Sequence, residues 1–347
     1  MEALMSRKLL TLSLTATLMG GTAHADTLQV AVDIAPVHSL VARVMDGVGM
    51  PDLIIQPGAS PHEYSLRPSE AAALQNSDLV FWIGPGLTPW LTDTIETLAK
   101  DASVTSLLDL DGTVQLDFRE GALFEVHDHD DHDDHDEHDD HDDHDDHDDH
   151  DDHDDHDDHD DHDDHDDHDD HDDHDDHDDH DPHAWLSPKN AITWLNVIAG
   201  QLSAADPDNA GTYFANAAAG RTEIELLISE VTATLDRVRG GRFIVFHDAY
   251  QYFEMDFNFP ASGAISVSDA SDPGPARITE IRDRISQQGI DCVLAEPQFN
   301  PDLIATILDG TDSRTGIIDP LGSDLEPGAS LYRELIRNLS TALASCM

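Results

Sequence analysis

The sequence predicts an α/β protein of two lobes, each with a mostly parallel sheet flanked by helices, joined by a long rigid helix, with a metal site in the cleft between the lobes. Three observations predict it. Short runs of β-branched and aromatic residues alternate with stretches of helical spacing, the pattern of strand-helix-strand layers. One helical repeat, from about Asn209 to Arg239, is longer than a small lobe needs. A tract from His127 to Asp181 contains only Asp, Glu and His.

Leu28 to Val32 reads as the opening strand, and Val37 to Val48 follows with helical spacing. Leu53-Ile54-Ile55 is a short buried strand that ends at Gln56-Pro57-Gly58. The loop GASPHEYSLRPSE leads into a helix from Pro68 to Asn76, with the proline in the first turn, where its missing N–H costs nothing. Leu79 to Ile83 is a strand, Trp90 to Lys100 a helix, and Val104 to Leu108 extended. Beyond the tract, Pro188 to Leu202 is helical and Asp206-Pro207 breaks the chain. Tyr213, Phe214, Ala217, Ile224, Leu227, Ile228, Val231 and Leu235 keep three-to-four spacing along the long helix, which Gly240-Gly241 stops. Strands at Phe243 to Phe246 and Ile290 to Ala295 flank a helix from Ile278 to Gln288. Gly316-Ile317-Ile318 leads into DPLG, and Tyr332 to Ala344 closes the chain as a helix. The expected division is 26–206 for the first lobe, 207–239 for the connecting helix and 240–347 for the second lobe.

The formal net charge is −57, and 36 of the acidic residues lie in the tract. The remainder is still acidic, so nucleic acid and anionic membrane surfaces are excluded as partners and cations are favoured. Within the tract a histidine falls at every third position: His129, His132, His135, His138, His141, His144, His147, His150, His153, His156, His159, His162, His165, His168, His171, His174, His177 and His180. With no apolar side chain the tract cannot build a core, and it is expected to be a disordered loop. Its imidazoles and carboxylates are the ligand set of Zn²⁺ and similar ions.

Residues 1–25 read as a signal peptide. Arg7 and Lys8 precede an apolar stretch, Leu9 to Met19, too short to span a bilayer, and Ala23-His24-Ala25 has the form of a cleavage site. The expected location is the periplasm, with no membrane insertion. Only two cysteines occur, Cys292 and Cys346. An even pair in an exported protein predicts a disulfide, since two thiols alone are too few for a metal site.

His62, in SPHEY, His183, in DPHAWLSP, and His247, in FHDAY, lie outside the tract and the signal and follow strand ends, where α/β sheets bind their ligands. A lone loop histidine is an ordinary residue; three of them in a chain with a His-rich tract point to one shared metal. Asp248 and Glu296 are candidates to orient the imidazoles.

The segments GASPHEYSLRPSE, DPHAWLSP, FHDAYQYFE, AEPQF and DPLG resemble, in order and spacing, those of the zinc-binding receptors of periplasmic ABC importers, the ZnuA type. The likeness runs along nearly the whole mature chain, and an acidic His-rich insertion before the DPH motif is typical of that family. It implies a two-lobed receptor that captures Zn²⁺ between the lobes and passes it to a membrane permease; the chain is expected to be a monomer. It implies His62, His183 and His247 as ligands, and Asp319 of DPLG as a weak or indirect fourth. Some members have Glu before the first ligand; here Pro61 stands there and Glu63 follows, so the fourth position stays open between water, Asp319 and a tract residue. Histidine at 247 favours zinc over manganese, because imidazole suits the softer ion.

In an extended polyproline chain the tract's histidines would line one edge about 9 Å apart. At three or four imidazoles per ion they would hold about five zinc ions. The tract is therefore expected to be an auxiliary collector of low affinity. Two other classes compete. A zinc hydrolase would use the same three histidines, but H-E-x-x-H and G-x-S-x-G are both missing. A periplasmic zinc buffer without a permease, or a receptor of the manganese or iron type, shares the fold.

Overall fold

Val30–Val32 (β1) is buried along its whole length, as an unbroken apolar run requires when a strand has neighbours on both edges and helices on both faces. This computed structural model describes residues 28–119, 124, 180–266, 274–298 and 301–347. β1 pairs in parallel with β2 (Asp52–Leu53) and β3 (Leu79–Trp82), and β3 with β4 (Ser103–Ser106), giving the order β2-β1-β3-β4. The second sheet repeats the plan with β5 (Phe243–His247), β6 (Ala264–Ser266), β7 (Cys292–Ala295) and β8 (Arg314–Ile317) in the order β6-β5-β7-β8, all parallel. The two-lobed α/β class read from the sequence is the one observed. The signal segment and the tract histidines from His129 to His177 lie outside the described residues; of the tract, only His180 and Asp181 are described.

Parallel strands need crossovers, and helices supply them. In the first lobe these are α1 (Ala35–Val44), α2 (Pro68–Asn76) and α3 (Pro89–Leu98). In the second they are α6 (Gln251–Phe257), α7 (Pro275–Gln288) and α8 (Pro301–Leu308). Between the lobes run α4 (Pro188–Ala205) and α5 (Ala210–Leu235), and α9 (Leu331–Cys346) closes the chain. Ser187 caps α4, its hydroxyl accepting from the N–H of Asn190 at 3.1 Å.

The spine is shorter than its sequence pattern. α5 spans 26 residues, about 39 Å, and the last turn tightens into a 3₁₀ segment at Asp236–Val238. Its buried stripe, from Tyr213 through Ala217, Gly220, Ile224, Leu227 and Val231 to Leu235, packs against α4, α1 and α9. α9 thus returns from the second lobe to the first. The N–H of Tyr332 donates to Ser39 Oγ on α1 at 2.9 Å, and Arg43 of α1 pairs with Glu223 of α5 at 3.0 Å.

Cys292 and Cys346 form the expected disulfide, with Cα atoms 5.6 Å apart, pinning the end of α9 to β7. The space beside it is tight: a Cβ on Gly316 would lie 2.9 Å from a methyl of Leu294 and 3.1 Å from Cys346 Sγ, so a larger residue there would make the Leu294 side chain shift. Among the described residues no helix is long and apolar enough to cross a membrane.

Four elements escaped the sequence reading: α6, β6, α8 and β8. β6 and β8 are short edge strands, and α6 is two turns of mostly buried residues with no polar face to give a period. α8 carried a usable signal, Pro301 followed by Leu303, Ile304 and Ile307 at helical spacing.

Candidate metal centre

His62, His183 and His247 come together beside the carboxyl ends of the two sheets, although His183, expected to follow a strand end, follows no strand and opens a 3₁₀ turn instead. His247 is the last residue of β5. His183 precedes the 3₁₀ turn Ala184–Leu186 that feeds α4. His62 lies in the loop between β2 and α2, held by Trp90, whose Nε1–H donates to Pro61 O at 2.8 Å. The ring centres of His183 and His247 stand 5.3 Å apart, and those of His62 and His183 5.6 Å. The Nε2 atoms of His183 and His247 face each other at 3.4 Å.

That last distance has a chemical meaning. Two nitrogens on a tetrahedral Zn²⁺, each 2.0–2.1 Å from it, must lie about 3.3–3.4 Å apart. His183 is 5 % exposed and His247 3 %. The far side of each ring is held by a carboxylate: His183 Nδ1 lies 2.7 Å from Asp181 Oδ1, and His247 Nδ1 lies 2.5 Å from Glu296 Oε1. An ionised carboxylate only accepts, so with Asp181 and Glu296 ionised each Nδ1 carries the proton and each Nε2 presents a lone pair to the shared point. Glu296 is itself steadied by Gln298, whose Nε2 donates to Oε2 at 2.7 Å. Among the described residues no group of three or more His, Cys, Asp or Glu side chains is already closed up as a metal cage. The set pair is His183 with His247, and His62 stands beside it.

Asp181 was read from the sequence only as the end of the tract. It is 2 % exposed, and it also accepts the N–H of His183 at 2.9 Å. Burial pushes its carboxyl up to about 7, against the pull of the His183 N–H, Arg119, His247 and His62. The available signal was Pro182, which breaks the Asp-Asp-His repeat between Asp181 and His183.

Asp248, a candidate to orient an imidazole, instead faces Arg119. Arg119 Nε donates to Asp248 Oδ2 at 2.9 Å, Nη2 binds Asp248 Oδ1, and Nη1 donates to Glu254 Oε2 at 2.8 Å. Burial would lower the guanidinium, but its bonds to Glu254 and Asp248 carry it above its ordinary value. Burial also raises both carboxyls, because one guanidinium shared by two acids offsets only part of their desolvation.

Asp319 spends its carboxylate on its own turn. Oδ1 accepts the N–H groups of Leu321 and Gly322 at 2.9 and 3.0 Å, and Oδ2 accepts the N–H and hydroxyl of Ser323, both at 2.6 Å. Those four donors fill the acceptor capacity of an ionised carboxylate. Asp319 also lines a recess of about 170 Å³ with Ser60, Gln298 and Ser323, where the two lobes meet. A larger recess, about 430 Å³ around Asp78, Asp206 and Tyr213, lies at the opposite ends of the first sheet's strands and holds none of the three histidines.

His180, the one described histidine of the tract's three-residue repeat, is tied to the segment that enters the tract. Its Nδ1 lies 3.0 Å from Asp117 Oδ1, and the two residues form an isolated antiparallel bridge.

The family model for the periplasmic component A of the zinc-uptake complex, ZnuA, matches residues 30–346. The chain belongs to that family. Its members are solute-binding components of zinc uptake rather than enzymes. Relatives named high-affinity zinc uptake system protein ZnuA include one from Brucella abortus (strain 2308), 48% identical over 92% of this chain and 91% of its own. Another, from Paracoccus denitrificans (strain Pd 1222), is 46% identical over 94% and 93%. A zinc-bound ZnuA deletion mutant superposes with a TM-score of 0.67 over 92% of this chain and 98% of that one, at 20% identity. The substrate-binding protein FpvC of Pseudomonas aeruginosa with Mn²⁺ gives 0.68 over 92% and 98%, at 18%. At those identities the two structures speak for the ZnuA fold alone.

Proposed function

We propose that this chain captures Zn²⁺ with His62, His183 and His247 and delivers it to the membrane permease of an ABC importer. The observation that carries the reading is the 3.4 Å span between two buried Nε2 atoms, each backed by a carboxylate. The ring spacings of 5.3 and 5.6 Å also suit three imidazoles on one ion, for which about 5.2 Å is expected at tetrahedral angles. Three neutral imidazoles leave a fourth position for water. Asp319, with its acceptors filled by Leu321, Gly322 and Ser323, serves as a neighbour of the ion rather than a ligand.

The His/Asp tract acts in this reading as a low-affinity collector beside the cleft, because Asp181 at its end is the residue that orients His183. Metal analysis of the purified chain tests the whole, with and without residues 127–179, followed by the same measurement on His247→Ala. One tightly held zinc that survives the deletion and disappears with His247 supports the reading. A tight site that survives His247→Ala refutes it. Delivery is tested by growth on scarce zinc: a strain lacking this chain should fail and recover with excess zinc, whereas a buffer would leave uptake intact.

A further inference from the structure

His183 and His247 sit on segments far apart in sequence, and a single distance between their Nε2 atoms decides whether they can share an ion. Something must fix that distance. Direct bonds join the two sides, such as Trp185 Nε1–H to Pro320 O and Ser187 Oγ–H to Asp256 Oδ2, and the segment Val114–Arg119 touches both as well. It leaves the first lobe through Asn190, whose Oδ1 accepts the Val114 N–H at 2.8 Å. At Leu116 it joins the segment that carries His183: Asp181 N–H donates to Leu116 O at 2.7 Å. There Tyr252 of α6 locks the junction, accepting the Leu116 N–H at 3.0 Å and donating to Asp181 O at 2.7 Å.

Three residues on, Arg119 reaches the second lobe. Its guanidinium forks to Asp248, the residue after His247, and to Glu254 of α6. Its side chain is 19 % exposed, against 9 % for Asp248 and 5 % for Glu254. The Phe124 ring lies against it, 3.6 Å from the guanidinium carbon. Planar bidentate pairs fix orientation as well as separation, which a lysine in the same place cannot do.

We propose that Arg119 is a positioning residue for zinc: by tying the His183 segment to the His247 segment, it sets the Nε2–Nε2 span that determines affinity and coordination geometry. The inference rests on the zinc reading of the three histidines. It assigns a binding role to a residue that touches no ion.

Arg119→Lys keeps the charge and loses the fork. In the full chain it is expected to weaken zinc binding about ten- to hundredfold, as supports outside the ligand shell do, measured by chelator competition. The visible absorption of the Co²⁺-loaded chain, which reports tetrahedral geometry, should weaken and shift, while the far-ultraviolet circular dichroism stays as in the wild type. A merely structural role would lower the melting temperature without moving the cobalt spectrum. A folded Arg119→Lys chain with wild-type zinc affinity and wild-type cobalt spectrum overturns the proposal. If that chain does not fold, Tyr252→Phe decides: it removes the hydroxyl at the Leu116–Asp181 junction, and unchanged affinity and spectrum overturn the proposal equally. The control is His247→Ala. Should the wild type hold no zinc that this control abolishes, it is the zinc reading of the site that fails.

Discussion

His183 Nε2 stands 3.4 Å from His247 Nε2, across a gap of 64 residues in the sequence. Two imidazoles so placed can share a divalent cation with little rearrangement. Removing one ligand should therefore cost a full share of the binding energy. For a structural zinc site of roughly 10–16 kcal/mol over four ligands, that share is about 3 kcal/mol, or roughly two decades in affinity. His247→Ala and His183→Ala are expected to show it in zinc titrations against a competing chelator. A change of less than threefold in either would place the ion elsewhere.

Glu296→Gln tests the carboxylate behind His247. Gln offers an oxygen acceptor to Nδ1–H but no charge, so the imidazole loses basicity while the ring stays packed. Zinc affinity should fall about ten- to hundredfold, with the melting temperature of the metal-free protein little changed. Gln298→Ala, which removes only the donor to Glu296 Oε2, should fall in the same direction and by less. If Gln298→Ala were the more damaging of the two, the relay from Gln298 through Glu296 to His247 would be wrong.

Much of this centre was legible because strand ends and loop histidines leave local marks. β1, β3, β5 and β7 are buried runs; His247 ends β5, His183 opens the turn into α4, and His62 lies in the loop after β2. What could not be read were groups whose partners are remote in sequence. Arg119 looks like any arginine until Asp248 and Glu254 are brought to it from 129 and 135 residues away. Asp181 is chemically identical to the aspartates of the repeat it ends, so its type alone does not mark it as the carboxylate behind His183. Asp248, beside a ligand candidate, was the natural choice for support, yet it turns to Arg119. Adjacency in sequence says little about side-chain direction at the end of a strand, where the chain leaves the pleat.

The disulfide should stabilise the fold without serving the site. Cys292 opens β7, while Glu296 follows the other end of that strand. Closing a loop with a sequence separation of 54 contributes about 4 kcal/mol in the chain-entropy view. Cys292→Ser with Cys346→Ser should therefore lower the melting temperature by many degrees and leave zinc stoichiometry and affinity of the folded protein unchanged. A large loss of affinity at a temperature where the double variant is folded would show that α9 is coupled to the metal centre.

Deletion of residues 127–179 keeps His180 and Asp181, and so keeps the support of His183. The shortened chain should retain its one tight site and lose a set of weak ones, about five ions at three or four imidazoles each. Those weak sites should empty as pH falls through the ordinary imidazole range, since only neutral imidazole binds metal. Zinc counts per full-length chain that stay flat from neutral to mildly acidic pH would rule out imidazole as their main ligand.

His38 on α1 gives a pH effect on stability that is separate from the metal. It is 4 % exposed, its Nε2 lies 3.0 Å from Pro51 O, and its buried Nδ1 makes no hydrogen bond among the described residues. Facing a carbonyl, Nε2 carries the proton of the neutral ring. Burial lowers the imidazole's pKa, against the Pro51 carbonyl and the charge of Asp52, which favour protonation. The folded state therefore resists a proton that the unfolded chain takes up near 6.5. Stability is complete above that value and is lost as pH falls through it toward the lower folded value. His38→Gln keeps an N–H for the Pro51 carbonyl but does not titrate. Denaturant unfolding of metal-free protein lacking 127–179 should show a shallower acid slope in the variant between pH 6.5 and 5, by at most about 1.4 kcal/mol per pH unit for one proton. Parallel curves for the two proteins would mean that His38 takes up its proton equally in both states, and its burial would then have no energetic consequence in this range.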